Sequence, residues 1–233
     1  MVMMPLYDSN TLRFIPFQWA TCTLIAINVL AFLYQLSLGE NGIQLAADTA
    51  GMVPTLLFPT APLPAPPGYS ALAPEYTLIT YMFLHGDWLH LIGNMLFLWV
   101  FGDNVEDAMG PISFTIFYLV CGVAAGLAHA TMHPDSAAPL IGASGATAGV
   151  IGAYLMLYPR VSMWVLVLMR LPLKLPAILV IGSWVAVQVY FVYADVNDGT
   201  AWWAHIGGFV AGLVLVIFFK RSSVPLFGGA PNS

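Results

Sequence analysis

The chain has 233 residues, 60% of them hydrophobic and only 7% charged, with a mean hydropathy of +0.85. So few charges cannot cover the surface of a soluble domain of this size, which places the chain in a membrane. Six Lys and Arg against eleven Asp and Glu give a net charge of -5. That balance reflects scarce basic residues and excludes the basic patch a nucleic-acid partner would need.

Apolar stretches near the ~20 residues that cross a bilayer predict six helical spans. Residues 1–14 form a short N-terminal segment. The first span, Ile15 to Leu38, has an apolar run longer than a signal-peptide core and no convincing small-residue cleavage site, so it is kept as a mature span. A long loop, residues 39–80, follows, with proline at 54, 59, 62, 64, 66, 67 and 74. That much proline excludes a regular helix through its middle, while Thr55 to Phe58 and Ile79 are apolar enough to touch lipid headgroups. The second span, Gly86 to Phe101, is interrupted by Asp87, His90 and Asn94, so these groups are expected inside a bundle. The third is Ile112 to Met132 and the fourth Ile141 to Tyr158. The apolar run Val161 to Met169, bracketed by Arg160 and Arg170, is too short to span; it is expected to extend the fourth helix or lie at the inner surface. The fifth and sixth spans are Pro176 to Tyr193 and Ala201 to Phe219, and the tail 221–233 is expected to be disordered. Residues 15–220 read as one membrane domain without internal repeats. Cys22 and Cys121 both fall within spans and read as packing thiols.

Six spans put both termini on one side. With a cytoplasmic amino terminus, Arg13, Arg160, Arg170, Lys174, Lys220 and Arg221, every basic residue of the chain, fall on the cytoplasmic side. Spans two, four and six then run from outside to inside. At 1.5 Å per residue, His90, Asn94, Ser144 and His205 share a layer roughly 5 to 12 Å below the outer surface. His90 and Asn94, four residues apart, also share a helix face. Small-residue faces let helix backbones approach: Gly142, Gly145, Gly149 and Gly152 fall within an arc of about 80°, and His205, Gly208 and Gly212 within about 60°. Ser, Asn and His also serve as ordinary helix-packing groups, but four of them at one depth point to a site. His85, five residues before His90, points about 140° away from that face and is expected at the interface. His129 and His133 are four apart, yet no Cys and no helical carboxylate completes a ligand set, so no metal is expected.

Other hydrolytic chemistries find no match. A metalloprotease needs two histidines around a glutamate, and the chain contains no His-Glu pair. A membrane aspartyl protease needs two aspartates within helices, whereas Asp103, Asp107, Asp195 and Asp198 read as loop or helix-end residues. A lipase elbow wants glycine two residues after the serine and a strand before it; here Ala146 follows and the context is helical. What remains is a serine activated by a histidine, with no evident third acid.

These segments resemble the rhomboid family of intramembrane serine proteases, in its six-helix bacterial form, over nearly the whole length. The matching stretches are Tyr81 to Asn94, with its His-x-x-x-Asn at His90 and Asn94; Gly102 to Gly110, with Glu106; Gly-x-Ser-Gly at Gly142 to Gly145; and Ala204-His205-x-x-Gly208-x-x-x-Gly212. The resemblance implies an all-α membrane protein, a six-transmembrane-helix bundle, with Ser144 as nucleophile and His205 as general base. His90, Asn94 and the backbone N–H of Ser144 would form the oxyanion site, and Gly145, Gly149, Gly208 and Gly212 would pack the helices. One departure matters: where many relatives place tyrosine four residues after the serine, to stack on the histidine, this chain has Ala148.

The implied activity is endoproteolysis of transmembrane segments in single-span or multi-span membrane proteins within the bilayer. It needs no metal or other cofactor and no nucleic acid, and it favours substrate helices with Gly or Pro near their outer end. The alternative is a catalytically silent rhomboid-like protein that binds or escorts transmembrane helices; a small transporter would want polar groups through the full depth of the bundle. The expected location is a bacterial plasma (inner) membrane, with both termini cytoplasmic and the site open to the outer face.

Overall fold

The computed structural model describes residues 3–58, 72–168, 170–196 and 198–228. A strand, β1 (Met3–Asp8), precedes α1 (Trp19–Ser37); α2 (Gly42–Ala50), α3 (Pro54–Leu57) and α4 (Pro74–Thr80), extended by a tight turn at Tyr81–Phe83, follow. Then come α5 (Trp88–Met109), α6 (Pro111–Met132) and α7 (Ser144–Leu157), a β-hairpin of β2 (Ser162–Val167) and β3 (Leu171–Pro176), and finally α8 (Ala177–Tyr193) and α9 (Trp202–Phe219). The protein is mostly helical, and α1, α5, α6, α7, α8 and α9 lie on the six predicted stretches.

By length and composition α1, α6 and α9 are each able to cross a membrane, while α7 and α8 are shorter apolar helices. The fourteen residues of α7 rise only about 21 Å, short of a ~30 Å hydrocarbon core. Every residue from Gly145 to Tyr154 is buried, so α7 is the central helix, walled from lipid by its neighbours. Non-helical backbone ahead of a short helix is tolerated at membrane depth where protein surrounds it.

The helix on the second predicted span, α5, runs further than its apolar stretch, to Met109, so Asp103 lies within a helix and Asp107 at its end. Two carboxylates in its last turns are buried and put to use. Glu106 accepts the backbone N–H groups of Ala20 (3.0 Å) and Thr21 (2.8 Å) and the Thr21 hydroxyl (2.8 Å), capping the otherwise orphaned start of α1. Asp107 accepts the N–H groups of Arg13, Phe14 and Ile15, fixing the chain that leads into that helix.

Three antiparallel strands in the order β1-β2-β3 were not expected from the sequence. The run from Val161, described as far as Leu168 with Met169 outside the described residues, neither extends α7 nor lies as an interfacial helix: Met163 and Val165 point inward and are fully buried, while their neighbours are partly exposed. The central strand β2 contains no proline, and Pro5, Pro172 and Pro176 are confined to the edge strands, where a missing N–H is tolerated. The register slips between Pro5 and Tyr7, a bulge at the proline. Asp8, closing β1, accepts from the Tyr154 hydroxyl of α7 and from the Asn104 side-chain amide of α5 (3.1 Å), tying the sheet to one end of the bundle. Burial raises the Asp8 carboxyl above its ordinary pKa, a rise opposed by these hydrogen bonds.

Two further expectations change. The proline-rich loop contains α2, α3 and α4 on its flanks, while prolines 59, 62, 64, 66 and 67 lie outside the described residues. The tail also folds back as far as it is described. Arg221 donates its backbone N–H to Ala108 (2.8 Å), Phe227 donates to Met156 (2.7 Å), and Val224 is buried. Residues 229–233 lie outside the described residues. Cys22, half-buried, and Cys121, buried, are free thiols on different helices.

Candidate active site

A cavity of about 860 Å³ opens at the end of the bundle away from the sheet, lined by the first turns of α5, α7 and α9 and the last turns of α6 and α8. Ser144, His205, His90 and Asn94 all face it. Their sequence separations are large, so the bundle's packing alone gathers them. The closest packing is between α7 and α9. A methyl group built on Gly208 would collide with the Gly145 carbonyl oxygen, and one on Gly212 with the Gly149 carbonyl oxygen. Gly149 would in turn meet Cys121 of α6. Glycine at these places lets two backbones touch, which brings the first turn of α9 beside Ser144.

Ser144 is the first residue of α7. The first bond of that helix runs from the Thr147 N–H to the Ala143 carbonyl (2.9 Å), so the N–H groups of Ser144, Gly145 and Ala146 are its orphan donors. The loop leading into it is held on two sides. Met52 and Leu140 exchange backbone hydrogen bonds (3.0 and 2.8 Å), and the Gly142 N–H donates to the Tyr81 carbonyl (2.9 Å). Gly142 sits at φ +119°, in the region that favours glycine. A Cβ there would also lie 2.6 Å from His90 Nε2.

Asp87 caps α5 through Oδ1, which accepts the His90 N–H at 2.8 Å. The His90 ring accepts the Gly86 N–H at Nδ1 (3.4 Å), which assigns the ring proton to Nε2, the nitrogen facing Gly142. One turn deeper, Asn94 is 8% exposed, and its amide nitrogen is buried without a hydrogen-bond partner among the described residues. A buried donor left unpaired is costly, and the Asn94 amide, with the partly buried His90 ring near the start of α7, makes a place for developing negative charge.

His205 lies about one turn into α9, its ring near two tryptophans. Trp184 of α8 is 6.1 Å away and tilted 31°, and Trp202 is 5.8 Å away, edge-on. His205 Nδ1 lies 2.7 Å from the side-chain oxygen of Gln188. No hydrogen bond joins Ser144 to His205 among the described residues; the two share the cavity only.

Several of these residues were missed at the sequence level. Gln188 is a lone amide in an otherwise apolar stretch, and its cost in a membrane helix was the available signal. Trp184 and Trp202 carried none, because aromatic residues are ordinary in such helices. His85 is corrected: it is fully buried, its ring edge-on to His90 at 5.0 Å, and Gln35 of α1 holds both its backbone N–H and its carbonyl. The angular argument failed because Leu84 is extended and α5 begins only at Trp88. The His129 and His133 rings are 5.0 Å apart, and no group of three metal-ligating side chains is gathered among the described residues.

A family model described as the Rhomboid domain matches residues 74–222 of the chain. RHOMBOID-like protein 5 of Arabidopsis thaliana is 30% identical over 141 residues, 60% of this chain and 43% of that protein. Rhomboid protein 1, mitochondrial, of Saccharomyces cerevisiae is 28% identical over 158 residues, 64% of this chain and 43% of that protein. Rhomboid-like protease 3 of Toxoplasma gondii is 28% identical over 159 residues, 65% of this chain and 57% of that protein. In each case the match covers less than two thirds of the relative. All three are eukaryotic and one is mitochondrial by name, so the expectation of a bacterial plasma membrane finds no support in them.

Proposed function

On the premise that this chain belongs to the rhomboid family, we propose that it is an intramembrane serine endopeptidase that cleaves transmembrane segments of other membrane proteins. The observation that carries the reading is the shared cavity: a serine at a helix amino terminus, a histidine on the touching helix, and two donors beside them, the His90 Nε2–H and the unpaired Asn94 amide. In this mechanism His205 takes the proton of the Ser144 hydroxyl as its oxygen attacks the substrate carbonyl. The oxyanion collects hydrogen bonds from the Ser144 N–H, His90 and Asn94, and His205 returns the proton to the departing amine. Water then hydrolyses the acyl-enzyme by the same steps. Catalytic hydrogen bonds are often long until substrate is in place, which accommodates the open Ser144–His205 contact.

We assign residues 15–220 to one membrane domain, with 1–14 and 221–233 as short terminal segments on its cytoplasmic side and the cavity opening outward. The six basic residues support this orientation through the positive-inside rule. A second reading, a silent rhomboid-like protein that binds or escorts transmembrane helices, draws on that same open contact.

The deciding experiment is cleavage of a single-span membrane substrate by the detergent-solubilised protein beside Ser144→Ala and His205→Ala, with a chelator control. The protease reading expects both variants to lose on the order of 10³-fold or more in kcat, with the chelator having no effect. Binding without cleavage across several substrates would establish the escort instead.

A further inference from the structure

We propose that Gln188 is a positioning residue for His205, taking the place of a third acid in the Ser144–His205 pair. This role rests on the dyad proposed above. Gln188 lies near the end of α8 that lines the cavity, is 5% exposed, and places its side-chain oxygen 2.7 Å from His205 Nδ1. A buried amide in an apolar helix is costly unless bonded, and here the imidazole supplies the partner.

The direction of that bond sets the chemistry. With Gln188 accepting at its oxygen, the imidazole proton stays on Nδ1, and Nε2 keeps the lone pair that takes the serine proton. The opposite polarity, with the amide donating to Nδ1, would put the proton on Nε2 and leave no base for Ser144. A neutral amide also fixes the tautomer without burying a carboxylate in the membrane. Trp184 lies one helical turn before Gln188 on the same helix, and its ring flanks the imidazole. Trp202, held by its own Nε1–H donating to the Val196 carbonyl (3.1 Å), meets the imidazole edge-on at 5.8 Å between ring centroids. With Ala148 at the position where relatives carry a stacking tyrosine, α8 supplies the orientation that α7 does not.

The test uses the full chain in detergent, with Gln188→Leu and Gln188→Glu beside the wild type. A fluorophosphonate probe reads acylation of Ser144, a membrane substrate reads kcat and KM, and 15N NMR of histidine-labelled protein reads the His205 tautomer, assigned by His205→Ala. Gln188→Leu is expected to lower kcat and the acylation rate roughly 10- to 100-fold, with KM and Tm unchanged. It should also shift His205 away from the Nδ1-protonated form. Gln188→Glu, which keeps an acceptor, is expected to restore most of the rate. Wild-type acylation and an unchanged His205 spectrum in Gln188→Leu would overturn the proposal while leaving the dyad intact. Equal loss in both variants with a lowered Tm would also overturn it, as a packing role. A wild-type protein that the probe does not acylate removes the dyad itself, and the role of Gln188 with it.

Discussion

Asn94 shows how a single side chain can be informative through what it lacks. Its amide nitrogen is buried and has no hydrogen-bond partner among the described residues, a state that costs about 1–3 kcal/mol and persists where something else repays it. In the proposed role of oxyanion donor it would be repaid in the transition state, so Asn94→Ala should lower kcat about 10²- to 10³-fold with little change in KM. Steady-state kinetics on a membrane substrate checks this; a rise in KM at constant kcat would place Asn94 in substrate binding instead. Ser144, His90, Asn94 and His205 were legible in the sequence because polar side chains within apolar helices are few and these share a depth. Gln188 met the same criterion and passed unread, since it carries no motif. His85 was misread for a geometric reason, because 100° per residue holds only inside a helix and His85 lies in the extended entry to α5.

At the scale of elements, close packing of α7 on α9 makes the site. The glycine pattern on both helices was readable, and the structure gives it a stricter meaning, since Gly208 and Gly212 each rest against a carbonyl oxygen of α7. A carbonyl held in a helix cannot move aside as a flexible side chain can. Gly208→Ala must therefore push α9 off α7, at a cost of about 1–3 kcal/mol. Because that shift also separates His205 from Ser144, activity should fall more than the loss of folded protein explains. Thermal unfolding in detergent, run beside probe acylation of the fraction still folded, tests this; full acylation by the folded variant would show that the site tolerates the displacement. The sheet was not legible for a different reason. Its central strand is a short, almost wholly apolar run that helix and strand share equally, and its first partner, β1, lies more than 150 residues earlier in the chain. Nothing local in Met3 to Asp8 announces a pairing of that range.

For the whole molecule, composition was decisive, because a chain with so few charges has only lipid to face. The count of spans was harder to read than their positions, since α7 is too short to cross a bilayer by itself and is sheltered by neighbours that sequence does not name. The same folded arrangement bears on orientation. Arg13 precedes the start of α1, Arg160 follows α7, Arg170 and Lys174 lie on the hairpin, and Lys220 and Arg221 end α9. All six basic residues thus gather at the sheet end, and the cavity lies at the other. In the orientation proposed above on the positive-inside rule, the cavity opens outward, where water would reach the proposed acyl-enzyme. Single cysteines read this directly, provided Cys22 and Cys121 are first replaced by Ala. In intact cells a membrane-impermeant maleimide should label Thr200→Cys, beside the cavity, and should reach Ser223→Cys, at the sheet end, only after the membrane is permeabilised. The reverse pattern would overturn the proposed orientation and turn the cavity to the cytoplasmic face. Labelling of both positions in intact cells would mean that the two ends are not separated by a membrane, and the reading of the chain as a bundle that spans the bilayer would fall with it.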